Sequence, residues 1–581
     1  MTSSEAEPRR RSPLEHRSIF LIALALLVGI SLAAEFTSYA RPDTGFLLDA
    51  AARILGGARP YVDVVEINPP LIIALNMLAV LAARQLDIPD ILAYRLGFTA
   101  ALFGAILLTA AVLRRVIPGE TALQRAFLLV LGFVLFPLAG QDYGEREHLV
   151  LALLVPWLLV VTARRQGREM APALALAVGV LAGIAFALKP HFLVLWVLGE
   201  LWIRIGRRTA AKAPLPETLA IAGVLAAYGL AVLLLTPQYL ELVRLLGGSY
   251  SRFLYDPFYR VLLLGPGSVL TVFALLAFAA LRRHARHPEL WQAIALGAAG
   301  CLLAGAAQQK GLRYHLYPSF GLAIGLLGLV AWDTLLPLRE RVPLIYRRLA
   351  VSVLAAAVVV VCVQNAAVAV GDRQDADQDQ LEKLVEIVRA RAAGEGVFVM
   401  SYHLRSAYPL LNYSGAHSAS RFPHLWILAA EYADALRSSE PLAYHAESEM
   451  SPSERYLNRA VLEDLRKQRP KLLVVFRHAR DLPVNGLRRL DYVAYFARDP
   501  EIARALDDYE LVAELGDYLV YQRLAPGAAP LGPPPSVTPG TRDVVRVEEG
   551  GVQLHLADPT MLIAVSAFLI SLLALKGVDR A

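Results

Sequence analysis

Residues 41–71, RPDTGFLLDAAARILGGARPYVDVVEINPPL, place four carboxylates (Asp43, Asp49, Asp63 and Glu66) directly after a long apolar run. Two further clusters repeat this juxtaposition. GQDYGEREH, residues 140–148, gathers Asp142, Tyr143, Glu145, Arg146, Glu147 and His148 between two apolar runs. QQKGLRYHLYP, residues 308–318, carries Lys310, Arg313 and His315 with Tyr314 and Tyr317. A smaller group, LKPHF, holds Lys189 and His191. Ionisable groups at a membrane edge are functional candidates by default. Carboxylates there can orient a sugar hydroxyl, hold a divalent cation or take a proton from an attacking hydroxyl. An Arg fork and a Lys point charge suit phosphate oxygens, and Tyr faces can stack on a sugar.

Each cluster also has a plain structural reading. Asp49, six residues beyond Asp43, reads as facing water on a short interfacial helix over 43–56. Tyr61, Asp63, Glu66 and Asn68 precede Pro69-Pro70, which forces extended backbone, and a solvated loop would expose all four. GQDYGEREH reads equally as a charged turn, and QQKGLRYHLYP as an interfacial Tyr/Lys/Arg belt. SRFLYDPFYR, with Arg252, Asp256 and Arg260, reads as an interfacial helix. No HExxH or zinc spacing occurs.

The elements that must position these groups are membrane spans. The 581 residues are 56% hydrophobic, with a mean hydropathy of +0.47. About twelve runs approach the ~20 residues needed to cross a bilayer. They lie at 18–36, 90–113, 126–139, 148–163, 171–188, 192–205, 216–235, 262–281, 290–307, 318–337, 349–370 and 559–576. Basic clusters at Arg9–Arg11, Arg114–Arg115, Arg164–Arg165, Arg207–Arg208 and Arg282–Arg283 alternate with the polar clusters. The positive-inside rule puts the former in the cytoplasm and the latter outside. This explains the +6 net charge without nucleic-acid binding. Residues 69–84 then stay on the outer side as a half-embedded helix. Cys301 and Cys362 both lie in apolar runs, against a disulfide.

The expected organisation is a cytoplasmic tail (1–17, followed by an uncleaved signal anchor), a transmembrane domain (18–370), an extracytoplasmic α/β domain (371–555) closing on a Pro/Gly-rich linker, and a terminal span (556–581). LEKLVEIVRARA has helical amphipathic spacing, while GVFVMS, KLLVVF and DYLVYQR read as strands. The fold class is thus a polytopic α-helical membrane protein with a small extracytoplasmic α/β domain. Acids and phosphate-binding cations on one membrane face suit transfer of a sugar from a polyprenyl phosphate. Cations neutralise the departing phosphate, and a single carboxylate base gives inversion.

With an Asp just after the first span, then ILGGARPY and NPPL, the chain resembles the GT-C glycosyltransferases. Similar arrangements occur in protein O-mannosyltransferases and aminoarabinose transferases of lipid A. The resemblance covers roughly residues 18–340 and includes the half-embedded helix and the acidic second outer loop. Carried by the order of these motifs along the chain, it implies a membrane glycosyltransferase in a bacterial inner membrane, acting on the periplasmic face with a polyprenyl-phosphate sugar. It makes Asp43 the base and an acid of the second loop, Asp142 or Glu145, a partner. With Asn68 where some relatives carry Lys, phosphate binding falls to Lys310, Arg313 and His315, with Lys189. Glu66, Asp142 and Glu145 orient acceptor or donor, or hold Mg or Mn, which three acids permit without demanding. Tyr61, Asn68 and Tyr314 line the sugar. The acceptor is a glycan, a lipid or a protein. A transporter or flippase of lipid-linked sugars is the alternative; it calls for broken helices and mid-membrane charges. A non-catalytic scaffold would leave the three polar clusters without a purpose.

Overall fold

The computed structural model describes residues 16–206, 215–265, 267–334, 376–437, 442–477 and 490–524. The expected spans at 349–370 and 559–576, and the linker before the latter, lie outside them. Helix α1 (Arg17–Thr37) leads into α2 (Pro42–Leu55), which opens on Pro42 with Asp43 in its first turn. Pro at the first helical position and an acid beside the exposed N–H groups both favour a helix start there. Helix α3 (Leu71–Leu86) begins after Pro69-Pro70 and packs on α2. At 16 residues it is short, about 24 Å against a hydrocarbon core of about 30 Å.

Next come α4 (Asp90–Val116), α5 (Thr121–Leu135), α6 (Arg146–Arg165), α7 (Pro172–Leu188), α8 (Leu193–Gly206) and α9 (Pro216–Leu235). Then follow α10 (Gln238–Arg252), α11 (Phe258–Leu264), α12 (Ser268–Leu281), α13 (Pro288–Ala307) and α14 (Arg313–Thr334). Among the described residues six helices are long and apolar enough to cross a membrane, or seven counting the bent pair α11–α12 as one. The expected single span at 262–281 is therefore broken. Its Gly265-Pro266-Gly267 sequence supplies the cause, a missing N–H flanked by flexible residues, with Gly267 at φ 85°. Helices α3, α5 and α7 are apolar but shorter.

Helix α6 is the hub. It is buried almost throughout and packs against α4, α7, α8, α13 and α14. Helix α9 leans on α7, where small residues let the backbones approach. An ideal Cβ on Gly179 would lie 2.5 Å from the Glu217 carbonyl oxygen. Glu217 also anchors α6 by accepting from Arg164 Nε and Nη2 at 2.8 and 2.9 Å. Gly179→Ala is therefore expected to cost about 1–3 kcal/mol. Thermal unfolding in lipid nanodiscs checks it, with Gly223→Ala as the neutral control, since a Cβ there meets nothing within 4 Å.

The chain then forms a five-stranded sheet of β1 (Gly396–Met400), β2 (His417–Ser418), β3 (Leu472–Phe476), β4 (Tyr509–Leu515) and β5 (Tyr518–Arg523). Its order is β2-β1-β3-β5-β4, with β2, β1 and β3 parallel and β5 antiparallel to both neighbours. Val397, Val399, Leu472 and Val474 join the cluster containing Leu384 and Val388 of helix 376–392. Phe398, Met400, Leu473 and Val475 join that of Leu457 and Val461, on helix 452–468. Burial on both faces explains why β1 and β3 read as unbroken apolar runs.

This sheet unit rests on α2 and α10. Tyr408 Oη donates to Asp49 Oδ2 at 2.8 Å, and Asn412 Nδ2 to the Gly45 carbonyl at 3.0 Å. The Val65 N–H reaches the Arg421 carbonyl at 2.7 Å, and Arg252 pairs with Glu431 at 2.9 Å. Asp49 therefore does not face open water as the sequence suggests. Tyr408 and Arg53, the latter 3.8 Å away, hold it at the junction.

Candidate functional site

The ends of α2, α6, α7 and α14 meet beneath the sheet unit, and each brings a charged or polar group. Helix α2 supplies Asp43, and the start of α6 supplies Glu145, Arg146 and Glu147. Lys189 caps the end of α7, His191 follows it, and α14 opens with Arg313, Tyr314 and His315. Glu147, wholly buried, pairs with Lys189 at 2.8 Å and lies 3.7 Å from His315 Nε2.

Asp43 is half-buried and faces Arg146, Lys189 and Glu147. Burial pushes its carboxyl up, Arg146 and Lys189 oppose the rise, and Glu147 adds to it. Glu145 is pushed well up, first by burial and then by Asp43 and Glu147. These acids resist being fully ionised together. Glu66 is raised by burial and held back by Arg146 and by Asn68, whose N–H and Nδ2 donate to Oε1 at 2.7 and 2.5 Å. Arg146 thus sits among the charges of Asp43, Glu66, Glu145 and Glu147.

Several of these groups lack hydrogen-bond partners. Arg146 Nε, Glu147 Oε2, His191 Nε2 and His315 Nδ1 are buried without one. Natives rarely leave such groups unsatisfied, and a concentration of them marks a site built for a ligand rather than for stability. Tyr314, half-buried, faces Asp43, Glu147 and Glu145.

Other sequence-selected residues are engaged at the periphery. Asp142 accepts from Arg313 Nε at 2.9 Å, leaving the Arg313 side chain 43% exposed at the rim. Lys310 Nζ donates to the carbonyls of Tyr250 and Phe253 and lies 4.5 Å over the Tyr250 ring. Burial lowers its pKa to about 8. Tyr61 Oη donates to the Asn68 carbonyl at 3.1 Å. Asp63 is simply a surface partner of Arg59, with Oδ2 2.9 Å from Nε. Arg252 joins Glu431, and Arg260 lies 3.6 Å from Asp256, as suits an interfacial segment. Among the described residues no group of three or more His, Cys, Asp or Glu is arranged to hold a metal ion.

Sequence reasoning gave Arg146, Glu147, His191 and Tyr250 no role of their own. A usable signal was present for the first two, a charged pair heading the most deeply buried span. Tyr250, within reach of the charges of Arg146, Glu66 and Asp43, carried none.

No protein-family model and no curated protein matches the chain. Among solved structures it is similar to ArnT from Cupriavidus metallidurans bound to undecaprenyl phosphate, with 12% identity, 88% of this chain and 98% of that chain covered, and a TM-score of 0.49. It is similar also to ArnT of the same organism in the apo state, at 12% identity, 88% and 99% coverage and a TM-score of 0.48. A likeness at this level assigns no activity to the present chain.

Proposed function

We propose that the protein is a GT-C-type glycosyltransferase that moves a sugar from a polyprenyl phosphate to an acceptor hydroxyl on the periplasmic face of a bacterial inner membrane. The observation that carries this reading is the half-buried Asp43, without a hydrogen-bond partner among the described residues, facing the cations Arg146 and Lys189. A carboxylate opposite a pair of cations suits both halves of the reaction. Asp43 takes the proton from the attacking hydroxyl. Arg146 and Lys189 stabilise the phosphate as its bond to the anomeric carbon breaks. A single displacement with one base inverts the configuration.

The remaining groups take supporting roles. Arg313 presents its exposed fork at the rim, where a lipid phosphate arrives, and His315 and Lys310 back it. Glu66, Asp142 and Glu145 orient substrate hydroxyls, with Tyr61, Asn68 and Tyr314 along the sugar. The sheet unit, anchored on α2, covers the reacting groups and excludes water.

Purified protein in nanodiscs, given a polyprenyl-phosphate sugar pool from a bacterial envelope lipid extract, is expected to release polyprenyl phosphate. Unchanged donor after prolonged incubation, with labelled lipid merely exchanged between leaflets, would instead identify a flippase.

A further inference from the structure

The carboxyl ends of parallel strands β1 and β3 form the edge where open α/β sheets usually bind ligands. Here that edge does not face away from the membrane domain. The segment after β1 is tied to residues 424–426 by the Leu425 N–H, which reaches the Ser401 carbonyl at 2.7 Å. Residues 424–426 in turn lie on the end of α10. The Trp426 ring is 5.5 Å from Tyr250 and 5.8 Å from Phe253, and the His424 ring is 6.0 Å from Phe253. Tyr250 and Phe253 are the residues whose carbonyls hold Lys310, and Tyr250 faces the reacting acids. A series of contacts thus joins the sheet edge to Tyr250, which lies within reach of the Asp43 charge.

Two features mark this lip as more than packing. The Asp256 N–H bonds to the Gln309 carbonyl at 2.8 Å, joining the 250–256 and 309–311 turns, and Leu254 and Gln309 both adopt φ of 53°. Non-glycine residues are uncommon there, and such strain concentrates around binding sites. The second is the state of His424. Its Nδ1 lies 2.6 Å from the Tyr402 carbonyl, which can only accept, so the proton sits on Nδ1 and Nε2 offers a lone pair. Burial lowers its pKa to about 4, so the ring is neutral at neutral pH. His424 is half-buried, and among the described residues no partner takes its Nε2.

Building on the transferase reading, we propose that this lip is the acceptor subsite, that His424 Nε2 receives a hydrogen bond from an acceptor hydroxyl, and that the acceptor is a carbohydrate. The half-buried rings of Tyr250, Phe253 and Tyr314 offer apolar faces to a sugar ring, and an in-plane nitrogen acceptor fixes one of its hydroxyls. A second hydroxyl remains for Asp43. His424 is a positioning residue, since the proton leaves through Asp43.

The test uses the full chain in nanodiscs with the envelope donor pool and two acceptor probes sharing one tail, dodecyl maltoside and dodecanol. Wild type is expected to glycosylate the maltoside and not the alcohol. His424→Asn keeps an N–H for the Tyr402 carbonyl but removes the Nε2 acceptor. It is expected to raise the half-saturating maltoside concentration about tenfold, with slow donor hydrolysis by water and the melting temperature unchanged. His424→Gln, whose side-chain oxygen reaches near the Nε2 position, is expected to recover part of the loss. Equal loss of hydrolysis and transfer in His424→Asn overturns the subsite. So does an unchanged half-saturation, or equal use of dodecanol by wild type. Failure of wild type to consume donor at all overturns the underlying transferase reading instead.

Discussion

Asp43→Asn is expected to lower sugar transfer by about 10³-fold, within the range for loss of a general base, while the protein stays folded. The substitution keeps shape and hydrogen-bonding capacity but cannot take a proton. Its effect on stability has a definite sign. Burial raises the Asp43 carboxyl in the folded protein. A raised carboxyl favours the fold below its unfolded pKa, and that contribution is lost as pH rises through the folded value. At neutral pH the ionised Asp43 therefore costs stability, and the neutral amide relieves that cost. The melting temperature of Asp43→Asn is expected to equal or exceed that of wild type at pH 7, with the advantage vanishing at acidic pH. The same linkage shapes catalysis, because the base works only when ionised. In wild type kcat/KM is expected to climb with pH through the raised carboxyl range and then level off, and the residual activity of Asp43→Asn is expected to lack that limb. Donor-consumption rates and thermal melts over one pH series check both. Turnover near wild type in the variant would remove the base assignment.

Much of this architecture is legible in the sequence because membrane spans and buried strands depend on local apolarity. Helix α9 falls on the apolar run 216–235, and β1, β3 and β5 fall on GVFVMS, KLLVVF and DYLVYQR. The polar clusters are legible as places but not as contacts. Glu145, Arg146 and Glu147 are consecutive at the head of α6, so their side chains fan out by about 100° each. Which of them enters the site depends on the rotation of α6, fixed by packing against α4, α7 and α14 far along the chain. Lys310 and Arg313 look like free cations in QQKGLRYHLYP, yet their partners are the carbonyls of Tyr250 and Phe253 and the carboxylate of Asp142. Asp49 misleads for the same reason, since its partner Tyr408 stands 359 residues away.

The other large effect is expected at Arg146, and variants there separate its structural and chemical work. The guanidinium is buried and faces Asp43, Glu66 and Glu147. Arg146→Ala leaves Asp43 and Glu147 facing Lys189 and takes from Glu66 the cation that faces it. Removing one partner of a buried charge cluster costs about 3–5 kcal/mol, so this variant should melt well below wild type and fail in transfer. Arg146→Lys keeps the charge but loses the planar fork that matches phosphate oxygens. It should fold near normally while its donor KM rises at least about tenfold, through loss of the bidentate contact. The double variant Arg146→Ala/Glu147→Ala removes an acid together with its compensating cation. Coupled neighbours are not additive, so the double variant should regain part of the lost melting temperature. It should not regain donor binding, because stability needs balanced charge whereas the phosphate needs the fork itself. Recovery of donor binding along with stability would show that Arg146 acts only as a counter-charge, and donor recognition would then pass to Lys189 and Arg313.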